Sequence, residues 1–404
     1  MYLVTFFFVL VFQHALVAKE MLFNSSREFT ILQITDLHFC EDTEKDIQTQ
    51  NLQKSLIEKV NPNLVIITGD GISGQFISTK KNLDAFKPCW EEMTKIMTDS
   101  NTNSAYILGK SDLASGINSA QIIDLEKNYP LSMLGQYSEK TGETNYVIPV
   151  YSSYDIDKVA TLLWMFDTSK HGIDQEQISW AFMQREYFNQ MNGANIDFQL
   201  AFFHAPTQDF LSLYNNGYFT GERPESINCS SSDFFNFARE NNFQGMYVGA
   251  NHENDFSGTI DGIELAYGRR TGYGGYSISN GFKKGARVIK LTEVLRDDKV
   301  TIEKESYIID EDLRKINPIL SKREGDEQKE CLPLSDYPLV GGMTRLTSIL
   351  LVFSLLIGFF GAGYILWKNG YLSDMFHIKA HIVELEALKS DLNESLDANK
   401  DEKK

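Results

Sequence analysis

Residues 29–39 read FTILQITDLHF, an apolar and β-branched run that ends in Asp36, Leu37 and His38. The run predicts a buried strand. Residues two apart at the frayed end of a strand can point to the same place, so Asp36 and His38 are positioned to share one cation through an oxygen and a nitrogen. Most Asp-x-His pairs are ordinary polar residues of a loop, so the motif needs support from elsewhere in the chain.

Strand and helix patterns alternate after this stretch. The apolar run at 64–68 is typical of a strand buried on both faces, and it ends in Gly69 and Asp70. A helical pattern at 47–60 precedes it, and another strand pattern follows at 104–108. Because such crossovers make a parallel or mixed sheet, the polar residues that follow these strands are expected at one edge of it.

The alternation continues through the body of the chain and predicts the α/β fold class. Further strands are predicted at 146–151, 161–166, 198–203, 246–248, 263–267 and 287–291, with helices at 174–191 and 232–240. The 404 residues are enough for one large domain or two ordinary ones. The net charge of −17 argues against a nucleic-acid partner, because phosphate backbones bind basic surfaces.

The two ends of the chain predict a single-pass type I membrane protein. Residues 1–18 form a short apolar run that resembles a secretory signal peptide, with an N-terminal core strand as the alternative. Residues 346–367 carry no charge, and a helix of that length spans the ~30 Å hydrocarbon core. The body, 19–320, is then lumenal or extracellular, residues 321–345 form a stalk, and residues 368–404 form a cytoplasmic tail.

Glycosylation sequons and cysteines agree with a secretory-pathway protein of the cell surface or an endomembrane compartment. Asn24 and Asn228 begin Asn-x-Ser sequons. The chain has four cysteines, which allow two disulfides in an oxidising compartment; Cys40 with Cys89 is one guess, and the pairing stays open. The tail has apolar residues at near-helical spacing, which favours a solvated amphipathic helix or a docking surface for a cytoplasmic partner.

Five strand ends carry polar residues in a recognisable order. They are Asp36-Leu37-His38, Gly69-Asp70, Gly109-Lys110-Ser111-Asp112, His204-Ala205-Pro206 and Gly249-Ala250-Asn251-His252. The ordered set resembles the calcineurin-like metallophosphoesterases, whose pattern is D-x-H, G-D, G-N-H-[DE], a lone H and G-H-x-H. Residues 249–256, 267–276 and 285–288 are similar to the C-terminal signature of the single-domain purple-acid-phosphatase-like branch. The resemblance covers about 28–307 and implies a four-layer sandwich, two mixed β-sheets flanked by helices.

The resemblance also implies a set of metal ligands. Family members hold two cations about 3.5–4 Å apart, bridged by one carboxylate, and Asp70 matches that carboxylate. The first metal takes Asp36, His38, Asp70 and His252, all of which are present. The second takes Asp70, an Asn, a His that matches His204, and a second His. Lys110 and Ala250 stand in place of the Asn and that second His, and Ser111 replaces the general-acid His. One divalent or trivalent ion (Fe, Zn or Mn) is therefore expected, and the second is doubtful.

These replacements leave two functions open. A lost general acid costs roughly 10²–10⁴-fold, and a lost Lewis-acid metal costs several kcal/mol at about 1.4 kcal/mol per tenfold change in rate. The chain is therefore expected to be a weak, membrane-anchored phosphomonoester hydrolase or, as the alternative, an inactive pseudophosphatase that serves as a binding or receptor-like ectodomain. Its ligand is a phosphate ester or a protein. Lys110 either holds phosphate in place of the lost cation or points to water.

Overall fold

A computed structural model describes residues 21–77, 81–134, 144–216, 218–222, 225–277, 281–316, 320–322 and 327–332. In it the opening stretch forms an inner strand of a six-stranded sheet. In spatial order this sheet consists of β13 (Lys315–Ile316), β12 (Lys299–Asp310), β11 (Gly285–Arg296), β1 (Glu28–Ile34), β2 (Leu64–Thr68) and β3 (Asn103–Ile107). Strands β1, β2 and β3 run parallel, and β11 pairs antiparallel with β1, so the sheet is mixed.

A second mixed sheet has eight strands. In spatial order they are β14 (Leu320–Lys322), β7 (Tyr218–Thr220), β9 (Ser257–Ile260), β10 (Ile263–Tyr267), β8 (Phe243–Val248), β6 (Gln199–Phe203), β5 (Val159–Phe166) and β4 (Tyr146–Tyr151). Strands β5, β6, β8 and β10 are parallel. The carboxyl ends of β6 and β8 therefore meet at one edge, as do those of β1 and β2 in the other sheet.

Alternating side chains show how the two sheets and the helices are layered. On β5, Leu163 and Met165 belong to the core between the sheets, together with Ile31 of β1. Leu162 and Trp164 point the other way and join a second core on the far face of the sheet. Because successive side chains of a strand face opposite sides, a strand that is apolar throughout is buried on both faces. The sequence-based prediction of two mixed sheets flanked by helices is confirmed.

The helices cover the outer faces. Four helices lie on the side of the first sheet: α1 (Thr43–Val60), α2 (Leu83–Asp99), α3 (Lys110–Leu113) and α4 (Ser119–Glu126). Three more follow later in the chain: α5 (Gln175–Asn192), α6 (Gln208–Asn216) and α7 (Phe234–Glu240). Residues at the helix ends determine where some of these helices begin and stop. Asp42 accepts backbone hydrogen bonds from Glu44 and Lys45 at the start of α1, and Asn61 adopts a left-handed conformation at its end. Gly193 ends α5 in the same conformation.

The hairpin of β11 with β12 differs from the sequence-based prediction. Residues 299–310 read KVTIEKESYIID, and no strand was predicted there, because the charged residues 303–305 interrupt the apolar alternation that begins at Val300 and Ile302. They pair antiparallel with β11 from Gly285↔Asp310 to Arg296↔Lys299. One face of the hairpin packs on the core and the other faces water, which explains the mixed composition.

Two disulfides join distant segments of the body. Cys40 pairs with Cys89, which confirms the guess, and Cys229 pairs with Cys331. The second bond, with the pairing of β14 on β7, attaches described residues of the predicted stalk to the sheet. The body thus extends beyond residue 320, because ladder hydrogen bonds and a disulfide hold the next residues to it.

Several expectations lie outside the described residues. They concern the signal peptide at 1–18, the rest of the stalk, the membrane helix at 346–367 and the tail at 368–404. Among the residues that the structure does describe, none of the helices is both long and apolar enough to cross a bilayer. Of the two sequons, Asn24 is exposed, and Asn228 is half-buried with its side-chain oxygen accepting a hydrogen bond from Asn251.

Candidate metal centre

The loops after β1, β2, β6 and β8 meet at one end of the two sheets. The backbone N–H of Asp36 donates to Gly69 O at 3.1 Å, and that of His38 donates to Asp70 O at 3.0 Å. The N–H of Gly249 donates to His204 O at 3.1 Å, which joins the two loops of the second sheet. All five residues predicted to bind metal come together here, and none is more than 6% exposed (Asp36, His38, Asp70, His204 and His252).

Three of these residues have an unusual backbone conformation. Asp36, His38 and Asp70 have φ values of 53°, 53° and 51°, in the left-handed region that non-glycine residues rarely adopt. Each such residue costs about 1–3 kcal/mol, and such conformations cluster at functional sites where surrounding structure imposes them. Here they turn the side chains away from the directions that a continuing strand would give. The same conformation occurs at ordinary turns such as Asn61 and Asp261, so the site is marked by three such residues meeting at two neighbouring strand ends.

The side-chain atoms form two groups that share Asp36. Asp36, His38 and His252 make one group, and Asp36, Asp70 and His204 make the other, with the ligand atoms of each group within 4.8 Å of one another. Asp70 Oδ2 lies 3.9 Å from His38 Nε2 and 3.5 Å from His204 Nε2. The Asp70 carboxylate thus lies between the groups, where the sequence-based assignment puts the bridging ligand. Asp36 is also common to both groups, which that assignment did not anticipate.

Hydrogen bonds at Nδ1 fix how two of the imidazoles face these groups. His252 Nδ1 is 2.9 Å from Tyr276 O, and His204 Nδ1 is 2.8 Å from Thr68 O. A carbonyl oxygen only accepts, so Nδ1 carries the hydrogen in both rings and a neutral ring keeps its lone pair on Nε2. Metal-binding histidines are held in this way by a backbone carbonyl. Both rings therefore turn Nε2 toward the carboxylates of the site, that of His204 toward Asp70 and that of His252 toward Asp36.

Burial and charge at these residues suit the binding of a cation. Asp36 Oδ1 is buried and has no hydrogen-bond partner among the described residues, while Oδ2 accepts from the Thr35 hydroxyl at 2.9 Å. Burial raises the pKa of Asp36 to about 7 and lowers that of His38 to about 4. A neutral imidazole and a buried carboxylate with a free oxygen suit a cation bound through mixed nitrogen and oxygen ligands. The Asp/His group fits a metal site, and its donor atoms do not discriminate between Fe, Zn and Mn.

The residues that replace the family's second-site ligands lie at the same end of the sheets but in neither group. Lys110 is half-buried at the first position of α3. The buried residue Ser111 donates its backbone N–H to Asp70 Oδ1 at 2.8 Å. Ala250 has a φ of 74° in the loop before His252.

His204, the second-site histidine that is present, is affected by both burial and charge. Burial lowers the pKa of His204, but the neighbouring Asp70 charge outweighs this effect and raises the pKa to about 10, so the metal-free imidazole is protonated.

Asp112 has a positioning function that the sequence did not reveal. Its two carboxylate oxygens accept hydrogen bonds from the backbone N–H groups of Gly109, Asp70 and Ile72 at 2.8, 3.1 and 2.8 Å, and from the Tyr106 hydroxyl at 2.8 Å. These bonds tie the loop after β2 to the loop after β3. Asp112 was recognised in the G-N-H-[DE] position, but only the fold shows that it fixes the backbone of Asp70.

A glycine-rich loop, 272–276, covers the two histidines. A Cβ on Gly275 would lie 2.6 Å from His252 Cε1 and 2.8 Å from His38 Cδ2, and Gly275 itself has a φ of 71°. The Tyr276 ring stacks on the His252 ring with centroids 3.9 Å apart. The Tyr276 hydroxyl donates to Glu225, which also accepts the backbone N–H of Glu253 at 3.1 Å. The sequence analysis quoted this loop as part of a signature without assigning it a role.

The chain is similar in sequence to known proteins over about two thirds of its length. No protein-family model matches it. It is 25% identical over 317 residues to "Probable inactive purple acid phosphatase 29" of Arabidopsis thaliana, covering 67% of this chain and 78% of that protein. It is 24% identical over 312 residues to "Probable inactive purple acid phosphatase 28" of the same plant, covering 66% of this chain and 76% of that protein.

Among solved structures, a dimetal phosphatase from Danio rerio is similar at a TM-score of 0.44 and 11% identity, covering 70% of this chain and 98% of that one. The family comparison is based on the two Arabidopsis proteins, and the ordered loop motifs of this chain indicate the same family. In sequence and in motifs the chain thus resembles the purple-acid-phosphatase-like branch of the calcineurin-like metallophosphoesterases, with a degenerate second metal site.

Proposed function

We propose that this protein is a metallophosphoesterase-type ectodomain that holds one metal ion and hydrolyses phosphate monoesters weakly, anchored by 346–367 on the lumenal side of a membrane. The observation that carries the proposal is the buried group of Asp36, His38 and His252, with Asp70 beside it. A bound cation would supply positive charge to a phosphoryl group under attack. The apolar run at 346–367 and the sequons support the membrane and secretory placement.

The chain's own residues explain why turnover is expected to be slow. Ser111 has neither the charge nor the reach of a general-acid imidazole, and Ala250 supplies no ligand atom. His204 Nε2 lies 3.5 Å from Asp70 Oδ2, in the group where the family holds its second cation. Of the family's second-site ligands, Asp70 and His204 are present and the other two are replaced. Lys110, at the start of α3, is the candidate for adding a second positive charge near a bound phosphate.

A second candidate function is a catalytically silent binding ectodomain. It is favoured by the loss of three family residues, at Lys110, Ser111 and Ala250, and by the word "inactive" in the names of the two Arabidopsis relatives. In this candidate the metal ion ties the loops of both sheets together, and the surface or the tail binds a protein partner. Both candidates require the same metal group, but only the first predicts hydrolysis of phosphate monoesters.

Metal content and hydrolysis of the full-length chain test the proposal. The chain is loaded with Mn, Zn or Fe, its metal is counted by mass spectrometry, and release of p-nitrophenol from p-nitrophenyl phosphate is followed. We expect one metal per chain and slow cleavage that Asp70→Asn abolishes and that His171→Ala, a change at an exposed histidine, leaves intact. One metal without cleavage supports the silent ectodomain. A folded chain that takes up none of the three metals contradicts both candidates.

A triple reversion tests the assignment of the replaced positions. Lys110→Asn, Ser111→His and Ala250→His together restore the family pattern. If the assignment is correct, the variant binds a second metal and gains at least about 10²-fold in rate, because a general acid alone contributes roughly that much. An unchanged metal count and rate in a folded variant would show that these loops were matched to the family motifs incorrectly.

A further inference from the structure

Two buried cationic side chains beside the metal group form no ion pair with the residues that the structure describes. Arg270 is 2% exposed and Lys284 is 8% exposed. Arg270 donates from Nε to Gly272 O at 2.8 Å and from Nη1 to Tyr276 O, both backbone carbonyls. The Lys284 ammonium makes no hydrogen bond or ion pair with any residue that the structure describes. Lysine and arginine are almost never this buried unless they are paired, because an unpaired buried charge is costly.

The backbone brings these two cations together. Gly285 donates its N–H to Arg270 O at 3.0 Å, and the Thr271 hydroxyl donates to Gly285 O at 2.7 Å. The segments that carry Arg270 and Lys284 therefore lie side by side. Burial, and next to it the charge of Arg270, lowers the pKa of Lys284 to about 8, which agrees with two cations held in one poorly solvated place.

The surrounding charged groups are already engaged with other partners. Arg269 forms an ion pair with the buried Asp255 at 2.5 Å. Glu253 accepts a hydrogen bond from the Ser277 hydroxyl at 2.6 Å, and Glu311 accepts from the Tyr273 hydroxyl at 3.0 Å. Glu253 and Glu311 both favour the charged form of Lys284, but neither lies within ion-pair distance of its ammonium. An anion from solution would provide the close partner that the described residues do not supply.

We propose that Arg270 and Lys284 form a binding site for a phosphate-sized oxyanion beside His252. Arginine and lysine are the usual ligands of phosphoryl oxygens, one through a planar fork and the other as a point charge. Arg270 Nη1 lies 3.2 Å from His252 Nδ1, on the opposite edge of the ring from Nε2, which faces the metal group. The site is therefore distinct from the metal group. This inference rests on the proposed function in one respect only, the class of ligand, which is inorganic phosphate or a phosphate monoester.

Anion titration of the metal-free, full-length chain tests this site. The protein is kept in a chelator and an otherwise phosphate-free chloride buffer, and inorganic phosphate or phenyl phosphate is added while heat of binding and melting temperature are recorded. We expect phosphate to bind and raise the melting temperature in proportion to the logarithm of its concentration. Lys284→Met should weaken binding at least about tenfold, the loss of one charged hydrogen-bonding partner. Lys283→Met is the matched control, because Lys283 is exposed and pairs with Asp312.

The outcomes separate this inference from the proposed function. Equal binding of phenyl phosphate assigns the site to monoesters, and binding of inorganic phosphate alone assigns it to the free ion. No binding by the wild-type chain, or equal binding by Lys284→Met, overturns the inference. Failure of the proposed function appears in other measurements, as absent metal uptake or absent cleavage, because the chelator removes any bound metal ion from the anion titration. Arg270→Gln gives an independent second variant for the same readout.

Discussion

The Nε2 atoms of His38 and His252 lie 3.1 Å apart, although 214 residues separate them in the chain. His38 follows β1 in one sheet, and His252 follows β8 in the other. Burial lowers the pKa of both rings below the usual histidine value, so both are neutral at pH 7 and at most one hydrogen lies between the two nitrogens. A cation bound here would join the two sheets through one atom.

Removal of His252 should abolish metal binding. We expect His252→Ala to reduce metal content from one ion per chain to none, because His38 is then the only imidazole of its ligand group left beside the carboxylates of Asp36 and Asp70. The added metal should then no longer raise the melting temperature, since a ligand stabilises only the state that binds it. Mass spectrometry of the metal and thermal unfolding with and without Zn or Mn measure both effects. His171→Ala, at an exposed position, should behave as wild type.

A methyl group on Gly275 should disturb the same histidines. Its Cβ would lie 2.6 Å from His252 Cε1, closer than real contacts allow. We expect Gly275→Ala to weaken metal affinity about 10–100-fold, the range seen when groups that orient ligands are changed. Competition with a chromogenic chelator measures the affinity. Gly262→Ala shares the positive φ but meets no atom within 4 Å, so it controls for backbone strain. Equal affinities of the two variants would refute a clash at the metal group.

Loss of the Asp112 carboxylate should destabilise the whole fold. In Asp112→Asn an amide N–H₂ faces donors of the Asp70 or Ile72 backbone, which leaves buried N–H groups unsatisfied. We expect the free energy of unfolding to fall by about 2–4 kcal/mol. Urea denaturation measures it, and Asp124→Asn, which removes an exposed carboxylate paired with Lys127, should change it by less than about 0.5 kcal/mol. A small effect at Asp112 would show that water replaces its bonds.

Replacement of Lys284 should stabilise the phosphate-free protein. Its pKa falls from 10.5 unfolded to about 8 folded, so between these values the unfolded chain binds more protons and stability rises with pH. Below pH 8 the penalty of the buried cation is fully present. We therefore expect Lys284→Met to unfold at higher urea concentration at pH 7, with an advantage that shrinks from pH 8 to 10.5. Lys283→Met should show no such trend, and an equally destabilised Lys284→Met at all pH values would count against a buried cation.

The strand ends could be predicted from the sequence because their signals are local. Apolar runs such as 64–68 are buried on both faces, and the glycine and carboxylate after them mark where the strand stops. The second strand of the β11–β12 hairpin was missed, because it is half-exposed and the charged residues 303–305 break its apolar alternation. The roles of Asp112, Arg270 and Lys284 also escaped prediction, since each depends on partners brought near only by the fold.

The sequence by itself determined which side chains are available for chemistry and which family ligands are missing. Asp36, His38, Asp70, His204 and His252 could be assigned from residue type and order, and Lys110, Ser111 and Ala250 as replacements. Only the tertiary structure decided that Asp36 belongs to both ligand groups. It also decided that Arg270 and Lys284 are buried on neighbouring segments without an ion pair to any described residue. Distances between segments hundreds of residues apart are set by sheet pairing and packing, and these leave no local pattern in the chain.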